Sequence, residues 1–135
     1  MDAGIVNIVA AGVLGAHGIG HALGWMPAWG IAKFEGMSNH SWLVSGIAGD
    51  NAARLLAGAI FVVPTVGFVA AAVGLLTGQP WWRQAAVASA TTSLLCTALF
   101  PQAFSTSSTV GSVAVDVAVL FGILSMGWGA QASQI

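Results

Sequence analysis

Charge is what this sequence has least of. Three Lys or Arg and four Asp or Glu in 135 residues come to 5%, against roughly 25% in a soluble domain. So few charges cannot coat a water-soluble globule of this length. Hydrophobic residues make up 57% and mean hydropathy is +0.88, so lipid is the solvent for most of the surface. Basic runs are also missing. With a net charge of −1, nucleic acid is a poor partner. The lone cysteine, Cys96, lies in an apolar run. It excludes an intramolecular disulfide and leaves the redox compartment open. The Met1-Asp2 start has no basic n-region, so residues 5–23 read as a retained first span and not as a cleaved leader. There is no linker, low-complexity tract or composition break, and a single integral membrane domain accounts for residues 1–135.

What is present is a set of apolar runs long enough to cross a bilayer, which takes roughly 20 residues each. The expected spans are about 5–23, 52–76, 84–100 and 110–128. Gly12, Ala16, Gly20 and Gly24 recur every four residues in the first and form a small-residue ridge on which another helix can pack closely. Pro64 should kink the second span, a distortion that neighbouring helices in a bundle tolerate. Ser89, Ser93, Cys96 and Phe100 fall on one stripe of the third, which points to packing and interhelical hydrogen bonds. Residues 102–109 read as a short Ser/Thr loop, and 77–83 as a tight turn holding Trp81 and Trp82. The longest connection, 25–50, spaces Trp29, Phe34 and Trp42 among Lys33, Glu35, His40 and Asp50. Trp is the usual interfacial anchor, so this loop should carry a short segment lying on the membrane. The fold class is therefore all-α, a four-transmembrane-helix antiparallel bundle with a long first loop carrying an interfacial segment. Two cations, Lys33 and Arg54, lie with that loop and one, Arg83, with the middle turn. This count does not decide orientation by the positive-inside rule.

The chemistry converges on one half of the bundle. His17 and His21 are four apart near the end of span one, and Asp116 is the single charge in span four. Counting 1.5 Å per residue from the face that carries the long loop puts His17 and Asp116 each about 9 Å deep. Helices one and four should then meet at these residues. A bare Asp at such depth costs about 2.5–3.5 kcal/mol on insertion scales, so Asp116 must be paired, protonated or open to a watery cavity. Desolvation favours the neutral forms of carboxyl and imidazole, whereas pairing favours the charged ones. A His–Asp pair under both influences suits proton exchange and acid–base catalysis.

Several roles remain open for these groups. His17 and His21 can bond hydroxyls of span three, ligate a metal or haem-like cofactor, or orient and protonate a substrate. With Asp116 they make a possible 2-His-1-carboxylate set, although the metalloprotease spacing has Glu where Gly18 stands. No cofactor is specified. Asp116 can pin helix register through His17 or Arg54, or act as acid or base. Asp50 is a candidate N-cap and ion-pair partner of Arg54, one turn on. Trp25 and Trp42 are candidates to roof the pocket, with Arg54 and Asp50 at its mouth. Ala114, Ala118 and Gly122 form a second small-residue ridge, facing away from Asp116, which suggests a further protein neighbour.

His17–Trp25 (H-G-I-G-H-A-L-G-W), Gly78–Arg83 (G-Q-P-W-W-R) and the small-residue start of the last span resemble a broad group of small bacterial four-helix integral membrane proteins. More distantly the layout is similar to DoxX-like proteins. The resemblance implies four helices and a prokaryotic cytoplasmic membrane, and it assigns no catalytic residues. The expected function is a one-sided polar His/Asp pocket. It would bind a small lipophilic molecule (lipid, isoprenoid or quinone-like) and, if enzymatic, transform it by acid–base chemistry. The alternative is a non-catalytic accessory subunit of a larger membrane complex, one with a His-ligated cofactor included. The partners would be the bilayer, the lipophilic molecule, and further copies or a complex.

Overall fold

A computed structural model describes residues 2–130; Met1 and 131–135 of the expected 1–135 domain lie outside them. Every regular element among the described residues is a helix, with no strand. Helix α1 (Ala3–Gly20) is capped by Asp2, whose carboxylate accepts from the Gly4 amide at 3.0 Å. It continues through a break at His21 into the short α2 (Ala22–Trp25). The long loop carries α3 (Val44–Ala48), and then α4 (Asp50–Ile60) leads into α5 (Val62–Leu76). α6 (Trp82–Leu99) and α7 (Thr106–Leu124) complete the chain. Three stretches are long and apolar enough to cross a membrane: Ala3–Trp25, Asp50–Leu76 and Thr106–Leu124. The run expected at 84–100 is a helix too, α6, but a more polar one.

The break between α4 and α5 falls at Phe61, three residues before Pro64. Pro64 has no N–H for the Ile60 carbonyl, and its ring crowds that turn. Thr65 compensates one residue on: its hydroxyl donates to the Phe61 carbonyl at 2.9 Å, where the backbone bond is stretched to 3.4 Å. The Ser/Thr stretch expected as a loop over 102–109 is shorter than that. Ser105 caps α7, accepting from the Ser108 amide at 3.3 Å, and the helix begins at Thr106. Gly49, not Asp50, is the N-cap of α4.

α1 packs on α5, α5 on α6 and α6 on α7, whereas α1 and α7 share no comparable packing. The four long elements form a row whose two ends approach each other loosely. α1 buries Ala11, Leu14, Gly18 and then His21, a stripe three to four residues apart. This corrects the expected ridge. Gly12 and Gly20 have nothing within 4 Å of an added Cβ. Of the ridge glycines only Gly24, in α2, packs closely, where a Cβ would stand 2.5 Å from the Phe61 ring. The other close approach is off the ridge at Gly18, where a Cβ would stand 2.9 Å from that of Phe68 and 3.0 Å from the Thr65 carbonyl oxygen. The face is chosen by what can be buried. Leu14 fills the core, and Gly18 lets the backbones meet.

Two apolar clusters result. One joins Leu14, Phe68, Ala71, Leu75, Trp82, Ala86, Val119 and Ile123 across α1, α5, α6 and α7. The other, under the long loop, joins Ala53, Ala57, Phe61, Cys96, Phe100 and Phe104. The loop is tied down by hydrogen bonds from Arg54 to the Ala28 carbonyl (2.9 Å), Trp42 to Ala98 (2.6 Å) and Asn39 to Gly24 (2.9 Å). The outward side chains of the apolar helices, such as Ile8, Val13, Val66, Val73, Val117 and Phe121, are exposed, as lipid-facing residues are.

Candidate functional site

Between the two apolar clusters three helices bring four polar side chains together. α1 supplies His17, and the break at its end supplies His21 one turn on, with ring centroids 4.8 Å apart. α6 supplies Ser93 and α7 supplies Asp116, both at 0% exposure. His17 Nε2 lies 2.8 Å from Asp116 Oδ1. The Ser93 hydroxyl donates to Asp116 Oδ2 at 2.5 Å and lies 2.9 Å from His21 Nε2. The meeting of His17 and Asp116 expected from their matched depth is thus present as a direct contact.

The proton count follows from what each group can give. An ionised carboxylate only accepts. With Asp116 ionised, His17 donates through Nε2–H and Ser93 through its single O–H. The Ser93 oxygen is then free to accept, so His21 must donate to it through Nε2–H. A neutral His21 then bears its lone pair on Nδ1. That atom is buried and has no hydrogen-bond partner. Two hydrogen bonds to an ionised group, each stronger than a neutral one, offset part of the cost of holding Asp116 out of water. The rings of Phe61, Phe68 and Phe104 surround His21, with centroids 5.7–6.2 Å away, and fix its orientation.

A half-open cavity of about 190 Å³ adjoins this cluster, lined by His17, Gly20, His21, Phe104, Ser108 and Ser112. One water needs only about 15 Å³, so the space takes a larger group. Ser112 Oγ, like His21 Nδ1, is buried without a partner, and so is Thr109 Oγ1. Ser108, Ser112 and Asp116 are spaced four apart, one face of α7. They form a polar stripe from the helix's exposed first turn down to the carboxylate. On the other side of the His17–Asp116 pair, the same α1/α7 seam holds an apolar cavity of about 220 Å³ between Ala10, Val13, Val115 and Ala118.

The remaining predicted residues lie elsewhere. Asp50 pairs with His40, not Arg54: His40 Nδ1 stands 2.9 Å from Asp50 Oδ1, and both side chains are more than half exposed. The loop delivers His40 to the carboxylate while Arg54 reaches the Ala28 carbonyl instead. Asp50 and Arg54 share a separate cavity of about 410 Å³ with Ser38, Asn39 and His40. Trp25 donates to Thr65 Oγ1 at 3.1 Å and packs on Trp29; Trp42 is exposed on the loop. None of these four lines the His17/His21 cavity. Cys96 is buried with Phe61 and Phe100.

Sequence reasoning missed the central place of Ser93 and the Ser108/Ser112 stripe. The spacing of 108, 112 and 116 was available as a signal, but it is hidden when 102–109 is read as loop. The ligand atoms of His17, His21 and Asp116 lie within 4.8 Å of one another, so the set has the composition and closeness of a 2-His-1-carboxylate metal site. The direct His17–Asp116 bond and the Ser93 bridge satisfy those atoms from within the protein. No known protein family, curated protein or solved structure matches the chain. The resemblance to small bacterial four-helix proteins therefore adds nothing to the site beyond its own geometry.

Proposed function

We propose that the chain is a four-span antiparallel membrane protein, in a bacterial cytoplasmic membrane, that binds a small lipophilic molecule in the α1/α7 seam. Its head would carry a hydroxyl or carbonyl. The observation that carries this reading is the division of one seam. The half beside His17 and His21 holds buried polar atoms without partners, His21 Nδ1 and Ser112 Oγ; the half beyond the His17–Asp116 bond is apolar. An amphiphile entering from the lipid would place its head in the first and its chain in the second. A hydroxyl head can donate to His21 Nδ1, and a carbonyl can accept from Ser112. His17, held by Asp116, is the group best placed to exchange a proton with the bound head. α6 serves as the fourth span despite its polarity. Its hydroxyls turn inward or bond back to their own helix, as Thr91 does to Val87 (2.9 Å) and Thr92 to Ala88 (2.8 Å).

The test is to purify the full chain in mild detergent and identify co-extracted apolar molecules by mass spectrometry. His17→Ala should lower retention of the bound species. Ala118→Phe, which fills the apolar half without touching the polar network, should lower it as well. Wild-type retention in both folded variants contradicts the proposal.

A second reading, an accessory subunit, is favoured by small-residue faces with no neighbour. Gly12, Gly20 and Gly111 have nothing within 4 Å of an added Cβ, and Ala114 and Ala118 are exposed. Native mass spectrometry separates the two: a lone 13.6 kDa chain with its lipophilic ligand supports the pocket reading, and a hetero-complex supports the other.

A further inference from the structure

The other end of the bundle holds a cation that the His/Asp site does not use. Arg83, in the first turn of α6, donates through Nη2 to the Ile123 carbonyl at 3.2 Å. Its Nε–H is buried with no partner. No described acidic side chain forms an ion pair with it; the described pairs are His17–Asp116 and His40–Asp50. The position is an awkward one for a cation. The N-terminal end of a helix already carries partial positive charge and favours anions. Arginine also presents a planar fork of donors suited to phosphate oxygens, and one donor bonded to a carbonyl leaves that capacity largely unused.

Two spaces meet at this side chain. One, of about 490 Å³, is polar in part and is lined by Arg83 with Asn7, Gln79, Gln84 and Trp128. The other, about 380 Å³, runs between α6 and α7 from Arg83 and Gln84 along Val87, Ala88, Ile123 and Leu124. Trp128, partly exposed and edge-to-face at 4.8 Å on the buried Trp82, stands beside the first, and a Trp ring only partly covered suits headgroup level. A polar recess joined at an arginine to an apolar groove has the shape of a headgroup with its chain.

We infer that Arg83 holds the phosphate of an anionic phospholipid, with the headgroup in the Asn7/Gln84 recess and an acyl chain in the Val87–Leu124 groove. This site is at the opposite end of the bundle from the His17–Asp116 pair, with Trp128 standing between its recess and the apolar half of the α1/α7 seam, and it does not rest on that seam's proposed role. The apolar groove favours a lipid over free phosphate as the source of the anion.

Native mass spectrometry of the full chain with added phosphatidylglycerol and phosphatidylcholine tests this directly. The wild type should retain phosphatidylglycerol in preference by about fivefold, the effect expected of one basic residue at a membrane surface. Arg83→Gln should lose the preference with unchanged helical circular dichroism, and Arg54→Gln, at the other face, should keep it. Ala88→Trp, which blocks the groove and leaves the arginine's bonds intact, should lower retention of phosphatidylglycerol even if Arg83→Gln fails to fold. Equal retention of the two lipids by the wild type, wild-type preference in folded Arg83→Gln, or unchanged retention in Ala88→Trp overturns the proposal. Displacement of the lipid by an equal concentration of inorganic phosphate also overturns it, in favour of a free-phosphate site.

Discussion

Ser93 is the residue on which the polar cluster turns. It is the only side chain among the described residues that is hydrogen-bonded to both His21 and Asp116. Ser93→Ala would strip a donor from a buried carboxylate and leave His21 Nε2 as orphaned as its Nδ1 already is. Removing one partner of a buried polar group costs about 1–3 kcal/mol, so the variant should unfold correspondingly earlier in a denaturant titration in detergent. Thr91→Ala and Thr92→Ala are the controls. Their hydroxyls bond only to their own helix, and changes away from buried networks stay within about 0.5 kcal/mol. Equal effects from all three would show that Ser93 is an ordinary packing residue. Asp116 and His17 were legible in the sequence because an isolated charge and a His pair stand out in apolar runs. Ser93 was not, since nothing distinguishes it from Ser89 one turn earlier until α1 and α7 are placed around it. The same blindness applies to Ser112, whose meaning depends on where α7 begins.

Glycine spacing misleads at the scale of elements, because a ridge of small residues reports permission to pack and not the packing itself. Four glycines or alanines at perfect intervals along α1 and α2 leave Gly12 and Gly20 open and pack closely only at Gly24, against Phe61, whereas Gly18, off that ridge, meets α5. Gly18→Ala forces Phe68 and the Thr65 carbonyl to move, an overpacking cost of about 1–3 kcal/mol. Gly12→Ala meets nothing and should gain up to about 1 kcal/mol in helix propensity. Thermal unfolding of the two variants in the same detergent checks the pair, and destabilisation by Gly12→Ala would mean that a partner covers that face. The α4/α5 break was better announced. Pro64 foretold it, and the structure adds that Thr65 takes up the Phe61 carbonyl. Replacing Thr65 by Val removes that hydroxyl and also the acceptor of the Trp25 indole. The variant should shift Trp fluorescence toward longer wavelength as the indole loses its tether; an unchanged spectrum would contradict the link between the kink and Trp25.

On the scale of the whole molecule, the helices form a row and not a closed ring. α1 and α7 are its ends, and the His17–Asp116 bond is what reaches across the gap. Helix class and apolar character followed from composition alone, since 5% charged residues leave few alternatives. The open seam did not, because it is a matter of which helices fail to pack. The most direct measurement is an experimental density map of the full chain in a lipid nanodisc. It should show elongated density between α1 and α7, with its polar end within hydrogen-bond distance of His21 Nδ1 and Ser112 Oγ and its chain beside Val13 and Ala118. A seam closed by direct contact of α1 with α7, or filled by a helix of another chain, would contradict it.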